Sequence, residues 1–200
     1  DTIAKIGDQV TESDTVIVND SVLAKAAMRH RYIAYHKPIG VSTDVQHDSR
    51  SIASELPALR GLYPLGRLDK DSHGLILLTN DGRLTERLLH PSREHEKEYL
   101  VRVDKRITDT FIRHIERGIL IETYKTKPAK ARRAGDTIFY ITLTEGKKHQ
   151  IRRMCAAEGY QVVELTRIRI MNVKLGDLIS GSYRDIAGEE LMAFLRKIGL

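Results

Sequence analysis

The sequence predicts an α+β domain: a mixed, mainly antiparallel sheet with flanking helices. Three observations carry that expectation. Strand-like runs outnumber helical ones, and few helical runs sit between strands as βαβ crossovers. Residues 97–103 alternate cleanly, with Tyr99, Val101 and Val103 on one face and Leu100 and Arg102 on the other. Two hundred residues also suffice for one large domain, or a domain with a small appendage, whose core needs no disulfide or metal.

Taken in order, residues 1–20 read as a small unit, with a turn at Ile6-Gly7-Asp8-Gln9-Val10 and a β-branched strand at 15–18. Residues 21–30, Ala-rich and partly basic, read as a linker to a main domain over 31–200. Residues 31–36 form a strand. Lys37-Pro38-Ile39-Gly40 is a turn, because proline fixes φ and glycine permits positive values. A polar loop covers 44–50, and 51–56 is a short helix that Pro57 stops. The run Gly66-Arg67-Leu68-Asp69-Lys70-Asp71-Ser72-His73-Gly74 leads into Leu75-Ile76-Leu77-Leu78, a buried strand. Residues 83–90 are helical through Leu84, Leu88 and Leu89 and stop at Pro91, and 108–117 form a helix ending at Gly118. Residues 119–123, 126–133 and 136–144 read as strands. With Lys125 just before it, the middle one carries Lys127, Lys130, Arg132 and Arg133 around Pro128, as suits a charged edge. A helix over 147–158 closes at Gly159, a long β-rich run covers 161–173, and 189–198 is an amphipathic helix with Leu191, Phe194, Leu195 and Ile198 on one side.

The chain carries 33 Lys+Arg against 27 Asp+Glu, a net charge of +6, which suits a polyanionic partner. The single cysteine, Cys155, excludes an internal disulfide and fits a reducing compartment. Nowhere do 18 apolar residues run together, so no membrane span is expected. The first residue is Asp1, which suggests that the natural start is missing.

Asp69 lies between Arg67 and Lys70. Flanking cations favour its ionised form, which suits a nucleophile or base; a turn-capping aspartate is the plainer alternative. The acids at 69 and 71 with Gly74 do not make a calcium loop, since position twelve is Asn80 and a strand follows. Gly146-Lys147-Lys148-His149 lacks the hydroxyl residue of a P-loop, and the histidines have no zinc spacing. On the 147–158 helix, Ile151, Met154 and Cys155 form a buried stripe, while Lys148 pairs in spacing with Arg152 and His149 with Arg153. Lysines in a first turn cost about 0.3–1 kcal/mol each against the helix dipole. An incoming phosphate explains them, as does a solvated basic face. Alternation places Val163, Leu165, Arg167 and Arg169 on one face, either flooring a base pocket or forming a half-buried strand whose arginines reach solvent. Tyr99 either packs in the core or stacks on a base.

Three runs in this order, Gly66-Arg67-Leu68-Asp69-Lys70-Asp71-Ser72, Glu96-Lys97-Glu98-Tyr99-Leu100-Val101 and His149-Gln150-Ile151-Arg152-Arg153-Met154, resemble the pseudouridine synthases. The likeness is to the bacterial S4-domain branch that acts on ribosomal RNA, most of all its large-subunit enzymes, and it extends through Leu165-Thr166-Arg167. The resemblance implies that family's fold, a mixed sheet with a central cleft, preceded here by the tail of an S4-like module in which Gly7, Asp8 and Gln9 would meet RNA. It implies that Asp69 is the catalytic aspartate, Tyr99 the active-site tyrosine and Arg152 the residue paired with the catalytic carboxylate. Arg67, Leu68, Lys70 and Leu165 would line the substrate, with Lys148, His149, Gln150, Arg153 and Arg169 on RNA. No metal or cofactor is implied. Ribosomal RNA is the expected partner, transfer RNA a further one, and the enzyme is expected to be a cytoplasmic monomer. The alternative is a non-catalytic RNA-binding assembly module, which needs no ordered set of Asp, Tyr and Arg.

Overall fold

The structure is a computed structural model that describes residues 17–18, 21–22, 30–43, 48–89 and 94–200. The chain divides into two units, residues 1–30 and 31–200. In the first, β1 (Ile17–Val18) pairs antiparallel with β2 (Ser21–Val22), so strand occupies the start of the segment expected to be linker. Gly7, Asp8 and Gln9, and with them the expected S4-like contacts, lie outside the described residues, as does His90.

The second unit runs through β3 (Tyr32–Lys37), α1 (Ile52–Glu55), a 3₁₀ turn at Pro57–Leu59, β4 (Tyr63–Leu65), β5 (His73–Thr79) and α2 (Arg83–Leu89). There follow β6 (Lys97–Val103), α3 (Asp109–Arg117), β7 (Leu120–Ile121), β8 (Tyr124–Lys125), β9 (Lys130–Arg133) and β10 (Ile138–Leu143). The chain ends with α4 (Gln150–Ala157), β11 (Val162–Ile170), β12 (Val173–Lys174), β13 (Tyr183–Asp185) and α5 (Gly188–Lys197). One sheet takes the order β13-β3-β5-β11-β6-β10-β9, with β4 joining β5 and β12 joining β11. Its pairings are antiparallel except β5 with β11, which is the mixed, mainly antiparallel sheet expected.

Several ends follow from local chemistry. Thr108 caps α3 by accepting from the Phe111 amide at 3.1 Å, and Gly118 closes it at φ +82°. Pro57 ends α1 and opens the 3₁₀ turn, since its fixed φ suits a first helical position. Other expectations fail. Of the strand expected over 126–133 only β9 forms, reaching the sheet as its charged edge, while β8 just before it turns back on β7. β4 and β13, neither read from sequence, complete the pairing of β5 and β3.

The site's frame is a row across four strands. Lys37 is opposite Gly74, Gly74 opposite Arg167, and Arg167 opposite Tyr99, so these residues share one face. On that face one apolar cluster gathers Leu68, Tyr99, Ile151, Met154 and Leu165 with Phe111 and Phe139, beneath α3 and α4. A second, around Ile33, Tyr35, Ile76 and Leu78, lies against α1. The third, with Leu75, Leu77, Ile170 and Phe194, packs under α5. Residues 66–72 lead into β5 just before Gly74, the second member of this row.

Candidate active site

Residues 66–72 connect β4 to β5, and their backbone is held from several directions. The Ser72 amide donates to Asp69 O at 3.0 Å, making a turn, and the Gly40 amide donates to Lys70 O at 2.7 Å. Thr43 Oγ1 donates to Leu68 O at 3.4 Å, and Arg167 Nη1 to Arg67 O at 3.1 Å. Leu68 is buried beside Tyr99 and Leu165, which the structure thus brings together. The Asp69 side chain, 33% exposed, is left at the surface of this anchored turn. A fixed backbone carrying an accessible carboxylate is what a positioned nucleophile or base requires.

The expected pairing of Arg152 with Asp69 is corrected. Arg152 Nη2 meets Asp71 instead, at 3.1 Å from Oδ2 and 3.2 Å from the backbone oxygen, and also donates to Ser72 Oγ at 3.3 Å. Its Nη1 donates to Val162 O at 3.2 Å, so it clips the far end of the loop to β11. The reason lies in where α4 begins. The helix starts at Gln150, three residues later than the sequence suggests, and His149 takes a left-handed conformation at φ 52°. That turn directs His149, not Arg152, at the aspartate: Nε2 lies 3.6 Å from Asp69 Oδ1.

Glu145 organises the turn. It accepts hydrogen bonds from Tyr124 Oη, Gln150 Nε2 and, at 3.0 Å, the Lys127 amide. Gln150 Oε1 accepts from the Lys147 amide at 2.9 Å, and the Lys147 ammonium stands 3.5 Å over the Tyr124 ring. The Glu145 hydrogen bond, with some burial, pushes the Tyr124 phenol up to about 12. Gln150 is buried and committed to this turn, which corrects its expected place on the RNA surface. Arg169 is likewise turned to the protein. Its Nε donates to Glu98 at 2.8 Å, Nη2 to Glu96 at 3.1 Å and Nη1 to Met171 O at 2.6 Å, after a bulge between Arg167 and Arg169 breaks the expected alternation. Arg67, Lys148 and His149 are exposed; Lys70 pairs with Asp48 at 2.6 Å and Arg153 with Glu122 at 3.0 Å.

The family described as RNA pseudouridylate synthase matches residues 31–157, a span that holds the Asp69 loop, Tyr99 and α4. The chain belongs to that family. As an RNA pseudouridine synthase it is an isomerase. It is 44% identical over 98% of its length to the Salmonella typhi dual-specificity RNA pseudouridine synthase RluF, covering 68% of that protein. It is 34% identical over 94% of its length to the Bacillus subtilis ribosomal large subunit pseudouridine synthase B, covering 80% of it. A solved pseudouridylate synthase structure superposes with a TM-score of 0.76 at 32% identity, covering 96% of this chain and 83% of that one.

Two cations beside the synthase's loop were not singled out as site residues from sequence. Lys37 is fully buried, donating to Pro38 O at 2.9 Å and Val41 O at 2.8 Å. Burial first, then the Arg167 cation, pushes its ammonium down to about 8, while Asp71 and Asp69 partly oppose this. Because the folded form loses its proton before the unfolded one, whose lysine titrates near the ordinary value, the unfolded chain binds more protons between. The Lys37 contribution to stability therefore grows as pH rises from about 8 towards about 10.4. Urea titrations of wild type and Lys37→Met should show their difference moving in favour of wild type across that window; a constant difference would contradict the burial. The second cation is Arg167. The expectation that it reaches solvent is corrected: it is 3% exposed, and the signal was its parity with buried Leu165 on the same strand face.

Proposed function

We propose that this synthase converts a uridine of structured ribosomal RNA, most of all of the large subunit, to pseudouridine, with Asp69 as the reacting carboxylate. Support comes from the anchored 66–72 turn, which leaves the Asp69 carboxylate accessible next to buried Leu68, a member of the same apolar cluster as Tyr99 and Leu165. The large-subunit reading is supported by the name of the Bacillus subtilis relative, and transfer RNA is a second substrate to test.

In the reaction the target nucleotide is flipped out of its stack at a cost of a few kcal/mol. Asp69 then has two routes. Its oxygen forms a bond to C1′ as the C1′–N1 pair departs with the uracil, or it takes the C2′ proton as that bond breaks, leaving a glycal. The uracil turns in place and its C5 bonds to C1′, as the Asp69 oxygen leaves C1′ in the first route or as Asp69 returns the proton to C2′ of the glycal in the second; the C5 proton is then lost and N1 takes up a proton. Hydrolytic glycosidases need a second carboxylate as acid for the leaving group; here the leaving uracil carries its own charge and is recaptured. Tyr99 stacks on the base, Leu165 walls the pocket, and Arg67 fills the vacated stack with its planar guanidinium. Arg152 acts on the carboxylate through its neighbours Asp71 and Ser72. Lys70, Lys148, His149 and Arg153 hold phosphates. The enzyme works as a cytoplasmic monomer.

Carbodiimide mapping of pseudouridines in total RNA, from cells with and without the protein, tests this reading. A position in large-subunit rRNA that is modified only when the protein is present is expected. Unchanged maps of ribosomal and transfer RNA would overturn it. Lys148→Ala and Arg153→Ala should each weaken RNA binding and lower the slope of log K against log salt by about 1. Slopes equal to wild type, from filter-binding titrations, would remove those residues from the RNA surface.

A further inference from the structure

We infer that Arg167 is the positioning residue of the catalytic loop, fixing Asp69 through the backbone on both sides of it; the inference rests on Asp69 reacting as proposed above. Arg167 Nη1 donates to Arg67 O at 3.1 Å, and its Nε donates to Leu75 O at 2.7 Å. Those carbonyls stand two residues before Asp69 and six after it, so one rigid guanidinium spans the turn that presents the carboxylate. The same residue is the register partner of Gly74 and of Tyr99. Loop, parallel strand and Tyr99 are therefore all located relative to one residue.

Stability alone does not account for a guanidinium here. Arg152 and Arg169 each face carboxylates, whereas among the described residues no carboxylate forms an ion pair with Arg167. Its Nη2 is buried without a hydrogen-bond partner. Its charge adds to burial in pushing the Lys37 and Lys97 ammonium groups down. A buried cation without an ion-pair partner carries a desolvation cost that an apolar side chain would not. What an apolar residue cannot supply is a fork that reaches two backbone carbonyls at once.

Arg167→Lys and Arg167→Met test the assignment, with melting temperature, RNA dissociation constant and single-turnover rate measured separately. Both variants are expected to fold and to bind RNA within about threefold of wild type. The single-turnover rate should drop about 100-fold in Arg167→Met, the scale of loss when a reacting group is misplaced by about 1 Å. Arg167→Lys should recover part of it, since an ammonium can hold one of the two carbonyls. A folded Arg167→Met with a rate within threefold of wild type overturns the inference. So does loss of the fold in both variants, which would make the residue a stabilising element, or a loss confined to RNA affinity. Asp69→Asn run in parallel separates the two readings: an active Asp69→Asn removes the proposed chemistry, whatever the Arg167 variants show.

Discussion

Asp69→Asn binds RNA and does not convert it: tritium release from C5-labelled uridine should fall by about 10³-fold or more, the scale seen when a reacting side chain is removed. The substitution keeps shape and removes charge, so the carboxamide can neither attack C1′ nor take a proton from C2′. Little else should change. The turn around residue 69 is held by backbone and by neighbours, through Ser72, Gly40, Thr43 and Arg167, and none of these bonds uses the Asp69 side chain. That side chain is a third exposed, so the stability change should stay within about 0.5 kcal/mol. An amide in its place weakens the approach of His149, whose Nε2 stands 3.6 Å from the carboxylate. Turnover within tenfold of wild type would transfer the chemistry to another group. A loss of RNA binding as large as the loss of rate would instead make Asp69 a recognition residue.

What could be read from sequence depended on where each element's determinants lie. β6 and α3 were legible because their signals are internal: strict alternation at 97–103, and a Thr108 cap with a terminal glycine around one helix. β4 and β13 were not, because each is three residues long and one contains Pro64. Their strand character comes from partners on β5 and β3, not from their own pattern. The start of α4 is hidden for a related reason. Its last turn before the helix is fixed by Glu145 reaching to Tyr124 and the Lys127 amide, contacts made in three dimensions. His149 then adopts a positive φ that histidine visits more readily than most side chains. That shift gave His149 the approach to Asp69 expected of Arg152. At the site, Asp69, Tyr99 and Leu165 came from a resemblance carried by ordered motifs. Arg167 was within reach of elementary parity, since an arginine two residues from a buried leucine in a strand shares its face.

Gly74→Ala is expected to cost the fold heavily and the rate as well, and three glycines together make that expectation specific. At Gly74, φ is +109°, and an added Cβ would lie 2.3 Å from Arg167 O and 2.6 Å from Arg167 N. These are backbone atoms of the neighbouring strand, so no side-chain rotation relieves the clash. β5 and β11 must move apart at a pairing that holds only two registered residue pairs, Thr166 with His73 and Arg167 with Gly74. Overpacking and the unfavourable φ together should cost about 4 kcal/mol or more, read as a shift in the urea midpoint. Gly118→Ala makes an equally close approach, 2.3 Å to Thr126 O at φ +82°, but in the turn after α3. Gly61→Ala has nothing within 4 Å and should cost only the roughly 1–2 kcal/mol of its φ of +91°. Stability should therefore fall similarly at 74 and 118 and less at 61. The rate per folded molecule should fall at 74 alone, because only that displacement moves Arg167 and the carbonyl it holds ahead of Asp69. If Gly118→Ala loses rate as Gly74→Ala does, the loss follows from general loosening and the β5–β11 contact has no special hold on the site.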